Sequence, residues 1–526
     1  MSTPSSTIRV CSGVRLTNDY THTIWFDNAQ KQMEYFAGKV VKTFSAYTYI
    51  RKSWSLKVDA TMEQARTWSY LYFQNGTGKT YFYFINNVEY INDNTVELFI
   101  EMDVMQTYMD DYTLHKCFVE REHANSDRVG DNTVDEGLEM GELKILDEVQ
   151  VALSDLCVLV LATYNPISTS QEQTDTVLAS RYNGIFGGLG VYAVNMKDWQ
   201  AWGVKLKTLD DAGKSDGIIS MWMYPKNLVT LAEGETWEND MVTKQVSSVA
   251  EIFKASGRNT LTSTGQEPRN KKLLAYPYNF LYVTNNSGSA AVFKYERFGD
   301  PTNCNFKVVG ALSPEGTVKM YPLNYNGIQH NYEEGVTLGG FPTCAWNQDL
   351  YKLWLAQNQN QQNLALMGAG IKIVAGGVGA VATGGLSSVL SAGGVASGVS
   401  DIANILAQRA DKEIQPPQAK GQHSGSVNVV AGFQTFNIQR KTITPEYVRI
   451  LDEYFDMFGY QTNRVKVPER NCRENWVYTK TRGCHVSGNL CTEDLRKIES
   501  IYDNGVTHWM NGDSIGNYGL SNLPTG

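Results

Sequence analysis

"SYLYFQNGTGKTYFYFINNVEYI", residues Ser69–Ile91, sets two aromatic and β-branched runs on either side of a glycine-containing turn at Asn75–Gly78. Runs of this kind suit a pleated, packed surface, and a short Asn/Gly stretch between them closes a hairpin. The segment predicts two antiparallel strands. Just beyond it, "VELFIEMDVMQTYM" alternates, with Val96, Leu98, Ile100 and Met102 on one face and Glu97 and Glu101 on the other. That period of two extends the sheet. The pattern returns in "KLLAYPYNFLYVTNNSGSAAVFKYERF", which turns at Asn285–Ser289. The expected fold class is mainly β, with a smaller share of helix (α+β).

Composition agrees. The chain has 526 residues, enough for several domains, with 29 tyrosines and 11% aromatics but only 19% charged residues, below the usual ~25%. A net charge of -9 argues against a protein that grips nucleic acid, since that binding runs on clustered Lys and Arg. It leaves open a protein past which nucleic acid slides. The start, "MSTPSSTIRVCSGVRL", has no apolar stretch of the kind a secretory signal needs, so synthesis in a reducing cytoplasm is expected. The eight cysteines are scattered without a CxxC, which predicts no disulfide framework.

Helices are few. "HANSDRVGDNTVDEGLEMGEL" reads as a long polar loop, and "DLCVLVLATYN" as a buried strand that periodicity alone does not separate from a buried helix. In the mixed stretch that follows, "VTKQVSSVAEIFKAS" is the best helix candidate. Two helices near the end are better marked. One opens at Thr444-Pro445-Glu446, carries Val448, Leu451, Phe455 and Phe458 at helical spacing and stops at Gly459; the other, "TEDLRKIESIYDNG", is capped by Thr492 and stops at Gly505. Composition divides the chain at 1–165 (β), 166–270 (mixed), 271–351 (β-rich), 352–420 (an apolar loop and linker) and 421–526 (β with two helices).

Three motifs invite a chemical reading. "NGTGKT", Asn75–Thr80, has Phe73 where a phosphate loop needs its first glycine, and strand rather than helix follows, so a hairpin turn fits better. Cys472, Cys484, His485 and Cys491 lack a Cys-x2-4-Cys knuckle, and buried thiols fit them better than a metal site. The acids Asp135, Glu136, Glu139 and Glu142 could be paired for glycoside chemistry, but acids on a polar loop are common. No catalytic residue, metal or cofactor is expected.

The segment "LALMGAGIKIVAGGVGAVATGGLSSVLSAGGVASGVS", Leu364–Ser400, differs in kind. It holds ten glycines and one charge, Lys372, and Ile373–Ser400 is an uncharged run of 28 residues. That length exceeds the ~18–20 residues at which a membrane span becomes thinkable. Glycine, however, costs about 1 kcal/mol per position in an isolated helix. Folded as two legs turning at Thr383-Gly384-Gly385, the second leg reaches only about 22 Å, against a hydrocarbon core of ~30 Å. A conditional membrane segment follows, with a glycine-rich loop or helical hairpin packed inside the protein as the alternative. Its apolar set is Leu364, Leu366, Met367, Ile371, Ile373, Val374, Val378, Val381, Leu386, Val389, Leu390, Val395, Val399, Ile402 and Leu406. Gly376, Gly377, Gly384, Gly385, Gly393, Gly394 and Gly398 supply flexibility and close backbone approach, the last two at GxxxG spacing. Pro416 and Pro417 are the expected hinge.

Several patches resemble one family. "TNDYTHTIWF" (Thr17–Phe26), "EMDVMQTYM" (Glu101–Met109), "CFVEREH" (Cys117–His123), "TVDEGLEMG" (Thr133–Gly141), "NRVKVP" (Asn463–Pro468) and "IYDNGVTHWMNGDSIGNY" (Ile501–Tyr518) are similar, in the same order, to the tail-knob or distal tail-tube proteins of small short-tailed phages of Gram-positive bacteria. The resemblance implies barrel-like tube-wall domains built from both chain ends and assembled as a homo-hexameric tube at the virion tail tip. It implies neighbours in the tail (a lower collar protein and a tail-tip lysin) and double-stranded DNA passing through the lumen without specific binding. The apolar loops would plug the tube, then emerge to form a pore in the host cytoplasmic membrane. Two rivals are a secreted pore-forming toxin and a tail enzyme degrading cell wall or polysaccharide.

Overall fold

The aromatic hairpin forms as expected, with Trp68–Gln74 antiparallel to Thr80–Asn92 and Tyr72 opposite Phe82. The computed structural model describes residues 6–47, 54–75, 78–153, 155–168, 181–182, 185–186, 188–195, 199–238, 241–258, 260–261, 265, 267–286, 288–313, 316–338 and 435–525. They fall into two units: Met1–Glu142 with Thr260–Pro277 and Ile443–Gly526, and Leu143–Asn259 with Tyr278–Thr442. The composition-based boundaries at 165, 270 and 351 are not the boundaries of these units. Segments distant in sequence share a core, and composition carries no record of that.

In the first unit the hairpin lies mid-sheet. Six antiparallel strands run in the order Val40–Tyr47, Ser6–Ser12, Trp68–Gln74, Thr80–Asn92, Thr95–Met102, Ser55–Asp59. Laid flat, the outer two would stand about 24 Å apart. Instead Phe44 from one edge and Val58 from the other join Ile8, Leu71, Tyr83 and Leu98 in one core, so the sheet curls around it. Val96 and Leu98 are fully buried there, and Ile100 nearly so. The other face is buried as well: Tyr70, Tyr72, Phe82 and Phe84 pack with Phe36, Ile498, Tyr502, Trp476 and Trp509. Two buried faces explain why the hairpin reads as continuous aromatic runs rather than as alternation.

A second sheet in this unit joins the two ends of the chain. Its order is His22–Ile24, Val506–Trp509, Trp476–Arg482, Cys117–Glu122, Tyr460–Lys466, with the first pair parallel. Helix Pro445–Phe458 buries Val448, Leu451 and Phe455 and ends at Gly459, whose φ of 62° suits glycine. A Cβ at Gly459 would lie 2.3 Å from the Glu122 carbonyl oxygen, so the residue also lets the following strand approach Cys117–Glu122. Helix Thr492–Asn504 buries Ile498, Ile501 and Tyr502 and ends at Gly505, φ 97°. Its N-cap is Cys491 rather than Thr492, which is already helical, and no side chain caps this end.

The second unit holds three four-stranded sheets. Leu156–Ala162 sits between Ile218–Pro225 and Gly190–Asn195, and resolves as a strand because partners on both sides complete its ladder. Cys157, Leu159, Trp222 and Tyr224 face the main core; Val158, Val160 and Val194 face helix Trp199–Asp211 through Trp202, Leu206 and Leu209. The helix expected over "VTKQVSSVAEIFKAS" is absent. Met241–Val242, Ser247–Ser248 and Glu251–Ala255 are strands, the last pairing with Cys304–Gly310. Valine, isoleucine and serine give the backbone little helical preference, and neighbouring strands take its hydrogen bonds. The helix lies instead over "WQAWGVKLKTLDD", where its buried residues keep a spacing of three and four.

Candidate functional site

The expected membrane-active residues, from Leu364 to Leu406, the glycines among them, and Pro416 and Pro417 all lie in 339–434, outside the described residues. What the fold does show is the two strands that flank 339–434 in the chain. Before it comes Val336–Leu338, a three-residue strand at the edge, among the described residues, of the sheet Glu251–Ala255, Cys304–Gly310, Val318–Pro322, Val336–Leu338. After it comes Thr435–Thr442, an internal strand flanked by Lys144–Ala152 and Asn279–Thr284. Both roots bury side chains in one core: Val336 and Leu338 from the first, Phe436 and Ile438 from the second. Sequence reading passed over these four residues. The apolar alternation in "VTL" and "FNI" is the signal that marks them. Among the described residues no helix is long and apolar enough to cross a membrane.

The chemical motifs resolve as structure. At "NGTGKT", Asn75 N donates to Lys79 O (2.9 Å) and Lys79 N to Asn75 Oδ1 (2.9 Å), the bonds of a hairpin turn. Cys472 and Cys484 are buried thiols, each pushed up to about 12 by burial, while His485 is exposed and Cys491, against the expectation of a buried thiol, is exposed at the start of helix Thr492–Asn504. Among the described residues no three His, Cys, Asp or Glu side chains are grouped to hold a metal ion.

Glu136 is the informative acid. Its side chain is fully buried and pairs with both Arg121 and Lys272. Its Oε1 also accepts from the Gln461 backbone N (2.9 Å), and Lys272 Nζ donates to Val134 O (2.7 Å). Burial pulls the Lys272 ammonium below its usual range, with Glu136 pulling the other way. Next to it, Asp452 accepts from Arg269 N (3.1 Å) and from Asn270 N (2.9 Å). The acid predicted to lie on an open polar loop thus ties 133–137 and 269–272 into the first unit.

Two buried histidines in the same unit are held neutral. His123 Nδ1 accepts from Tyr478 N (2.8 Å), and the Nε2 proton points at Asp456 O (3.1 Å), so the neutral ring is fully satisfied. A second proton would face the Tyr478 N–H. Burial lowers both His123 and His508 to about 3. Between pH 6.5 and about 3 the unfolded chain therefore binds protons at these rings that the folded chain refuses, and stability falls as pH falls. Asp103 works in the opposite sense, burial carrying its carboxyl up to about 6, so the net slope of the wild-type protein is partly cancelled. The clean readout is a difference. In His123→Asn the loss of unfolding free energy between pH 7 and pH 5 should shrink by up to about 2 kcal/mol relative to wild type. Urea titrations at the two pH values measure it; equal losses in both proteins would refute the assignment.

Comparison with known proteins bears on all of this. Residues 237–523 match the family model for the C-terminal domain of tail knob protein gp9 of Bacillus phage phi29, and residues 4–113 match that of the caudoviral major tail protein N-terminus. The tail knob proteins gp9 of Bacillus phages B103 and PZA are 25% and 26% identical to this chain, each alignment covering 98% of both proteins. The structure is similar to that of the bacteriophage C1 tail knob protein gp12, with a TM-score of 0.62 at 15% identity, over 99% of this chain and 100% of that one. A family model spanning more than half of the chain, and relatives collinear with nearly all of it, place the chain in the tail knob protein gp9 family of short-tailed phages: it is a structural component of the virion tail, not an enzyme.

Proposed function

We propose that six copies of this chain close into a tube at the tail tip, through which double-stranded DNA leaves the virion. The apolar segment, Leu364–Leu406, plugs the lumen and then emerges to form a pore in the host cytoplasmic membrane. The observation that carries this reading is the pairing of an uncharged 28-residue run with a tail knob body. Exposed on a free virion such a run is an aggregation hazard, and a lumen shelters it. Six copies supply one another with the backbone pairing that one glycine-rich segment lacks in lipid. A charge of -9 per chain suits DNA passage, because a Lys/Arg-lined bore would hold phosphates in a salt-dependent grip. A lower collar protein above and a tail-tip lysin below are the expected neighbours.

Assembly is tested first. Purified protein should sediment as a closed oligomer, and negative-stain images should show six-fold rings. A stable monomer of 58.7 kDa at micromolar concentration would rule the tube out.

A further inference from the structure

The two roots of the 339–434 segment are unequal. Thr435–Thr442 is held by ladders on both sides, whereas Val336–Leu338 is short and, among the described residues, pairs with Val318–Met320 alone. An edge strand of three residues frays easily unless something else holds it. The turn between Asn279–Thr284 and Ala290–Lys294 meets both roots. Asn285 Nδ2 donates to the Thr337 carbonyl (2.7 Å), and Asn286 Nδ2 donates to Thr435 Oγ1 (3.3 Å).

We propose that Asn285, with Asn286 as a weaker second arm, is a positioning clamp: it holds the two strands that flank residues 339–434 on one turn. This rests on the segment being the working element of the proposed function, but its test reads the clamp alone.

The turn is built for the task. Asn285 N donates to Ser289 O (3.0 Å) and Asn285 Oδ1 accepts from Ser289 N (3.0 Å), which fixes the side-chain oxygen inside the turn and leaves the amide NH2 to face Thr337. Asn286 takes a φ of 56°, in the left-handed region that asparagine tolerates better than most residues, and its N donates to Thr284 Oγ1 (3.1 Å). Asn285 is 3% exposed. Its bond to the half-buried Thr337 is partly shielded from water, and losing it leaves that carbonyl without this donor. Asn286 is exposed, so its bond competes with water and contributes less.

The choice of substitution separates clamp from turn. Asn285→Asp keeps an oxygen for Ser289 N and replaces the donor facing Thr337 with a second oxygen. Hydrogen exchange on the full chain should show amides of 336–338 exchanging about tenfold faster or more in Asn285→Asp, with the core strand Leu156–Ala162 unchanged. Asn286→Ala should move 336–338 little and the start of 435–442 by less than tenfold. Unchanged exchange at 336–338 in a folded Asn285→Asp protein overturns the clamp. If that variant does not fold, wild-type protein nicked by protease inside 339–434 decides. Protection at 336–338 should survive the nick, and its loss overturns the proposal. Vesicle leakage plays no part in either measurement, so failure of the pore reading and failure of the clamp are told apart.

Discussion

Glu136→Ala should destabilise the first unit by about 3–5 kcal/mol, the range for breaking a buried ion pair from one side. The carboxylate holds two cations, Arg121 and Lys272, and Lys272 is itself 2% exposed at the side chain. Removing Glu136 takes away what keeps that ammonium charged against the pull of burial. It also removes the acceptor for Gln461 N at the start of Tyr460–Lys466. Glu136→Gln should cost less, since an amide oxygen still accepts from Gln461 N, although both cations lose their counter-charge. Unfolding should be followed by hydrogen exchange in peptides from Trp476–Arg482 and Val506–Trp509, which belong to this unit, rather than by a signal averaged over both units. A loss under 1 kcal/mol for Glu136→Ala would show the pair to be dispensable.

That network marks the limit of what the chain shows before folding. Strands were readable wherever alternation met a turn: Thr95–Met102 and the hairpins around Asn75 and Asn285 reflect local pattern. The two late helices were readable because proline and glycine punctuate them. Strand Glu251–Ala255 was not, since its identity is decided by Cys304–Gly310, some fifty residues away. Helix Trp199–Asp211 was hidden by a sequence whose buried face only Trp202, Leu206 and Leu209 define. Glu136 looked like any loop acid because its partners lie 15 and 136 residues off. At Asn285 the turn was visible, but the contact with Thr337 spans 52 residues and has no local trace. The apolar run is the converse case. Its composition declares it without help from the fold, and the fold contributes the two strands that flank 339–434 in the chain.

A variant lacking Lys352–Ala410 should leave vesicles sealed under conditions in which the intact protein releases an entrapped dye. In the proposed function the apolar side chains from Leu364 to Leu406 supply the affinity for lipid, each worth about 1.5–3 kcal/mol when fully buried. The glycines oppose helix formation in water at about 1 kcal/mol each. On that proposal the two terms together predict a segment that enters lipid once released and does not act beforehand. The deletion removes neither Val336 and Leu338 nor Phe436 and Ile438, the roots buried in the core, so the shortened chain should still assemble into rings. Leu390→Arg gives an independent measure with no residue lost. An arginine at the bilayer centre costs about 2.5–3.5 kcal/mol on insertion scales, so leakage should fall by about 100-fold or more. Equal leakage from intact protein and deletion would remove the segment from the mechanism and leave the tail knob to open the membrane by other means. Sealed vesicles from both, with rings intact, would instead make the segment a plug alone.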